Sequence, residues 1–225
     1  MKSFLALIIL CCISLLLPAQ DFVYPRLPAK AKKLSKFIPT GWHIRDSASG
    51  DLNNDGRPDL AFTLEYKEAV LEARPDSIPN FARPRLLVIL LKDPKRAQYH
   101  LHLQHNTFVL REGEGGMNPD PPTHVRIRNN RLVLEIEFTR SSIYYTFEFR
   151  DNDFYLVAAS TVNASSDAIE SWEYDFLKGR AVREYRLKEQ EKGDREEVTV
   201  PEPSLKKLRD LSMPYRLEVF PDIYI

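Results

Sequence analysis

Residues Val125 to Phe138 read VRIRNNRLVLEIEF, and this stretch decides the fold. Asn129 and Asn130 separate two runs of strand-forming residues, and asparagine accepts the positive φ angles that a two-residue primed hairpin turn demands. Beyond the turn, Leu132, Leu134, Ile136 and Phe138 alternate with Arg131, Val133, Glu135 and Glu137. A strand built this way has one apolar and one mostly polar face. Ile143, Tyr145, Phe147 and Phe149 repeat the pattern, and Asp151, Asn152 and Asp153 turn the chain into Phe154 to Thr161. Trp172, Tyr174 and Phe176 alternate again before Lys178 and Gly179, with Val182 to Leu187 as the returning strand. The middle of the chain is therefore predicted to be an antiparallel meander.

Outward from this meander, Leu86 to Leu91 is an unbroken aliphatic run, short enough for a buried central strand and followed by a Lys92, Asp93, Pro94 turn. Tyr99, Leu101 and Leu103 alternate with His100 and His102, so the two runs read as a hairpin. Ala31, Leu34, Phe37 and Ile38 have helical spacing with lysines between them, which predicts a short amphipathic helix. Leu205, Leu208 and Leu211 predict another, followed by an irregular or strand-like tail from Met213 to Ile225. Lys188 to Glu197 is charged and apolar-poor and is expected to be an exposed connection. No stretch repeats at the period of about 40 to 60 residues that tandem propeller blades require. The expected class is mainly β: an antiparallel meander forming an open sheet or two-sheet sandwich, with short helices near the N and C termini.

Residues 1–19 have the layout of a signal peptide: Lys2, an apolar run from Phe4 to Leu17, and Ala19 at the exit. Export across a bacterial inner membrane follows as the expectation, with the mature chain periplasmic, extracellular or at the cell surface. Residues 20–225 are expected to form a single mostly β domain with no transmembrane segment. Both cysteines, Cys11 and Cys12, lie in the leader, so the mature chain has no disulfide. Leu10 and Cys11 precede them where a lipid attachment site needs a small residue, which argues against a lipoprotein. Removing Lys2 leaves 31 basic against 32 acidic residues. That near-neutral balance gives no electrostatic reason to expect a nucleic-acid partner.

Chemistry concentrates between Gly50 and Leu60, which read GDLNNDGRPDL. Oxygen-bearing side chains stand at loop positions one, three, five and nine: Asp51, Asn53, Asp55 and Asp59. Calcium prefers six to eight oxygen ligands, and alternate residues of a tightly wound loop can point at one ion. Gly56 permits the turn and the Arg57 carbonyl supplies the seventh-position ligand. Position twelve is Phe62, not the bidentate glutamate of an EF-hand, so Asp59 must act as the closing carboxylate.

The stretch from Gly50 to Ala61 resembles the calcium loop of FG-GAP and VCBS repeats, known from integrin α-chain propellers. The wider run from Gly41 through Asp46 to Leu60, with Arg85 to Pro94 and Asp153 to Val157, resembles uncharacterised exported bacterial proteins that carry one such loop. The resemblance implies a Ca2+-binding β protein and carries no reaction with it. The loop occurs once here, unlike in a propeller.

The remaining candidates are weaker. His100, His102 and His105 have no cysteine or carboxylate beside them to complete a transition-metal set. Gly113 to Pro122 is a glycine- and proline-rich connection with no phosphate-loop ending. Glu135, Glu137 and Glu148 could supply a glycosidase pair or simply the wet face of a sheet. Tyr144, Tyr145, Trp172 and Tyr174 could form an aromatic platform or pack in a core. The sequence thus points to a non-catalytic binding or structural module with an unidentified protein or glycan ligand. A secreted hydrolase, with carboxylates gathered by the sheet, stands as the alternative.

Overall fold

A strand that is apolar at every position must be covered on both faces, and the computed structural model covers the Leu86 run in that way. The structure describes residues 22–72, 74, 79–201 and 204–225. The leader expected at 1–19 lies outside them. In chain order, β1 (Lys30–Ala31), β2 (Trp42–Gly50) and β3 (Asp59–Tyr66) are followed by a side hairpin of β4 (Val70–Glu72) and β5 (Asn80–Ala82), then β6 (Arg85–Lys92) and β7 (Tyr99–His105). These build a five-stranded antiparallel sheet in the order β1-β7-β6-β3-β2, with β4 and β5 paired separately.

The second sheet is the expected meander. Its seven strands are β8 (Thr123–Arg128), β9 (Arg131–Glu137), β10 (Ser141–Arg150), β11 (Asp153–Ala164), β12 (Ala168–Asp175), β13 (Arg180–Leu187) and β14 (Asp194–Thr199), all lying in sequence order. Asn129 and Asn130 both have positive φ, 49° and 61°, as the primed turn requires. Asp151 and Asn152 do the same at the next hairpin, at 46° and 59°. A last hairpin of β15 (Glu218–Phe220) and β16 (Ile223–Tyr224) closes the chain. The protein is mainly β, as expected, and among the described residues its helices are single turns, a 3-10 turn at Leu34–Phe37 and another at Leu208–Asp210.

One apolar cluster joins the two sheets. Leu87, Ile89 and Leu103 meet Leu132, Leu134, Ile136, Ile143, Tyr145 and Phe147, with Leu208, Met213, Val219 and Ile225 sealing its margin. The opposite face of the first sheet, carrying Phe62, Leu64, Leu86, Val88 and Leu90, is covered by Leu27, Phe37 and Trp42. Burial of this kind stabilises by about 25 cal/mol per Å² of apolar surface removed from water.

Three strands break the simple alternation. The register of β7 shifts at His102, so Leu101 faces the N-terminal cluster whereas Leu103 faces the second sheet. A similar shift falls at Arg45 in β2 and another at Val157 in β11. Such bulges add one residue to a strand and re-aim its side chains. Asp194–Thr199, read from sequence as part of an exposed connection, is instead an edge strand. It is held by cross-strand ion pairs, Arg180 to Glu197 at 3.3 Å and Arg195 to Glu184 at 3.2 Å.

Candidate metal loop and its surroundings

The loop Asp51–Asp59 joins β2 to β3, with Gly50 and Asp59 as the first pair of the hairpin. Asn54 and Gly56 take positive φ, 59° and 80°, which winds the backbone back on itself. A Cβ on Gly56 would meet nothing within 4 Å, so glycine is needed there for its backbone angle and not for space. The winding brings side-chain oxygens inward. Asp51 accepts from the backbone N–H of Asp55 at 3.1 Å and of Gly56 at 2.8 Å. Asn53 Oδ1 accepts from the Asp55 N–H at 3.2 Å, and Asp55 Oδ1 from the Arg57 N–H at 2.9 Å.

Asp59 differs from the others because it is fully buried. Its Oδ2 accepts from the Leu52 N–H and its Oδ1 from the Lys92 N–H, both at 2.8 Å. One carboxylate therefore pins the loop to its own hairpin and to the end of β6. Burial raises the Asp59 pKa, its two backbone hydrogen bonds pull it down, and the charges of Asp55 and Asp51 push it up again, with a net upward shift. Asp51 and Asp55 thus lie close enough to Asp59 to disfavour its charged form. Each carboxylate oxygen has roughly two acceptor directions, so the present hydrogen bonds leave room for a cation. The donor set is all oxygen, which suits a hard ion such as calcium. Among the described residues no three His, Cys, Asp or Glu side chains form a ready-made metal cluster. The set expected from the sequence includes Asn53 and the Arg57 carbonyl beside the three carboxylates.

The histidines do not converge. His100 faces Asp93 at 3.0 Å on the exposed side of β7. His102 packs edge-on against Phe149 and Phe154. His105 is buried, with Nε2 against the Leu211 carbonyl at 2.9 Å and Nδ1 accepting from the Phe108 N–H at 3.2 Å. These partners fix the neutral tautomer that carries its proton on Nε2. Burial lowers the pKa of both His102 and His105, which Arg209 and Arg74 respectively reinforce. A folded-state pKa below the ordinary value of 6.5 means that the unfolded chain takes up more protons. Stability is therefore expected to fall as pH drops below that value. The check is the melting midpoint between about pH 7.5 and about pH 5.5, with His105→Gln flattening the slope.

The candidate catalytic carboxylates are paired with their strand neighbours. Glu135 accepts from the Tyr144 hydroxyl at 2.8 Å, Glu148 takes Arg131 at 2.6 Å, and Glu137 lies 3.8 Å from His124. Of the aromatic platform, Tyr145 is buried in the core, Tyr144 stands on the opposite face, and Trp172 and Tyr174 stack at 5.8 Å with an 8° interplanar angle.

Sequence reading missed a buried ionic network that anchors the loop Gly113 to Pro122. Arg85 Nε donates to Glu65 at 2.7 Å, Nη1 to the Leu110 carbonyl at 2.7 Å, and Nη2 to Asp120. Arg45, turned inward by its bulge, reaches Glu65 at 2.6 Å and Asp120 at 3.2 Å. Burial pushes Glu65 up, but hydrogen bonds from Arg45 and Arg85 outweigh it and hold the carboxyl below its usual range. Arg111 Nε donates to Glu72 at 2.9 Å, and its other nitrogens bond the carbonyls of Val109, Arg85 and Asn106 and the Tyr24 hydroxyl. No helix among the described residues is long and apolar enough to cross a membrane. No protein-family model, curated protein or solved structure matches the chain.

Proposed function

We infer that the chain is an exported β module of the periplasm or cell surface, stabilised by one calcium ion at Asp51–Asp59 and acting by binding, not catalysis. The observation that carries this reading is the inward gathering of Asp51, Asn53 and Asp55 around a wound backbone, closed by a buried and anchored Asp59. Asp51, Asn53, Asp55 and Asp59 would hold the ion by side-chain oxygens and Arg57 by its carbonyl, as in the FG-GAP and VCBS loops that the sequence resembles. The ion would neutralise the mutual repulsion of three carboxylates, a cost borne only by the folded state. The paired state of Glu135 and Glu148 supports binding over the hydrolase alternative.

The test is calorimetric titration of chelator-treated protein with calcium, with thermal melting in parallel. One saturable site is expected, and calcium at about 100 times its dissociation constant should add about 2.7 kcal/mol. For a chain of this length that raises the melting midpoint by about 5–10 °C. Asp55→Ala should abolish both effects while leaving the calcium-free midpoint nearly unchanged, since Asp55 is exposed. Identical melting with and without calcium in the parent protein would overturn the reading.

A further inference from the structure

The inner face of the second sheet changes character toward one end. Three successive cross-strand rows show it. The row Ala159, Tyr174, Ala181, Val198 is apolar. The next, Thr161, Trp172, Arg183, Glu196, is mixed, and the third, Asn163, Glu170, Tyr185, Asp194, is polar. The first row belongs to the core or packs on it, and Trp172 of the second row packs at its margin, whereas Asn163, Asp194 and Glu196 are exposed. The C-terminal hairpin covers part of this area, with Phe220 against Trp172 at 5.7 Å. Between hairpin and sheet an open pocket of about 530 Å³ remains, lined by the second row with Asn163, Glu170 and Asp222, and on its apolar side by Tyr174, Val198, Tyr215, Ile223 and Tyr224. Ligand pockets commonly measure about 300–1,000 Å³.

We propose that this pocket binds a neutral saccharide, one or two sugar rings deep. A sugar offers an apolar C–H face together with a rim of hydroxyls that both donate and accept. The half-buried Trp172 indole, stacked on Tyr174 and flanked by Phe220 and by Arg183 at 5.9 Å, supplies aromatic surface to this pocket. Thr161 and Asn163 both donate and accept, Glu170 and Glu196 accept, and Arg183 donates, so both needs of a hydroxyl rim are met. Charge separates this class from anionic ligands. Three carboxylates, Glu170, Glu196 and Asp222, surround one guanidinium, and Arg183 is already paired with Glu170 at 2.6 Å. A phosphate or an acidic sugar would meet net negative charge. A purely apolar ligand would strip water from six polar side chains without replacing their hydrogen bonds. The proposal rests on the reading of the chain as a binding module and names its ligand class. It is independent of the calcium loop, because Gly50 packs on Ile127 of β8, at the far side of the sheet from β12 to β14.

The experiment is a fluorescence titration of the full chain with chitotriose, cellotriose and maltotriose, run with calcium and again with chelator. Trp42 is buried elsewhere, so a ligand-induced change reports Trp172. At least one trisaccharide is expected to give a saturable change, with equal affinity in both buffers. Trp172→Ala should weaken binding about 10-fold or more, a loss of about 1.4 kcal/mol or more. Glu196→Gln, an exposed change on the edge strand that spares the core, should weaken it severalfold and serves if the tryptophan variant does not fold. No saturable change with any neutral sugar would overturn the proposal, as would a response confined to acidic sugars or to a simple amine such as putrescine. Loss of calcium binding with intact sugar binding would overturn the calcium reading alone.

Discussion

Replacing Arg111 by alanine is expected to cost about 3–5 kcal/mol of stability, because removing one partner of a buried pair leaves the other charge unpaired. The Arg111 side chain is 1 % exposed and that of its partner Glu72 is 7 % exposed. The substitution also takes the donor away from three backbone carbonyls and from Tyr24. For a domain of this size a loss of that order lowers the melting midpoint by about 10–20 °C. Arg111→Lys keeps the charge but not the planar fork, and should fall between parent and alanine. The double variant Arg111→Ala with Glu72→Gln removes the orphaned charge, so its loss should be smaller than the sum of the single losses. Denaturant unfolding of the parent, Arg111→Ala, Arg111→Lys, Glu72→Gln and the double variant measures this, and strict additivity would show that the two side chains do not act as a pair.

The second large effect is expected at Asp59. Asp59→Ala removes the acceptor for the buried Leu52 N–H and for the Lys92 N–H. Each donor left without a partner costs about 1–3 kcal/mol. Relief of the repulsion from Asp51 and Asp55 offsets part of this, so about 2–4 kcal/mol is the expected net loss, measured in chelator. Calcium should not restore it. Asp55→Ala differs in kind, being nearly silent in chelator and decisive in calcium. Equal behaviour of the two variants in chelator would mean that Asp59 has no anchoring role separate from the loop.

Much of the fold was legible because it obeys local rules. The alternation of Leu132 to Phe138 and the asparagines at 129, 130 and 152 set the strands and turns of the second sheet, and the structure follows them closely. The spacing of the loop's oxygen-bearing residues was legible too, being a property of sequence alone, and the structure winds Asp51, Asn53, Asp55 and Asp59 into one hairpin connection. Other features depend on partners distant in the chain. The bulge at His102 inverts the faces of Leu101 and Leu103, and no residue near it signals the inversion. The segment Lys30 to Ile38 has helical spacing but forms a short strand and one 3-10 turn, because Leu34 and Phe37 need only that turn to reach the cluster under Trp42. Nothing in the sequence beside Arg85 or Arg111 marks them as buried, yet each is held by a carboxylate and a carbonyl 20 or more residues away. The pocket beside Trp172 was half legible. Trp172 and Tyr174 stood out as aromatics, whereas Thr161, Arg183 and Glu196 join Trp172 only through strand register.

The last strand of the second sheet has a consequence for how copies of the protein meet. A meander that ends in an uncovered strand offers a row of free amides and carbonyls on which another chain could continue the sheet. Here that strand exposes Asp194, Arg195, Glu196 and Glu197 in succession, so an incoming strand would have to dehydrate carboxylates on both of its sides. The same run of charge that made the segment look like a mere connector thus works as a stop, letting a seven-strand meander terminate in water without recruiting its neighbours into a fibre.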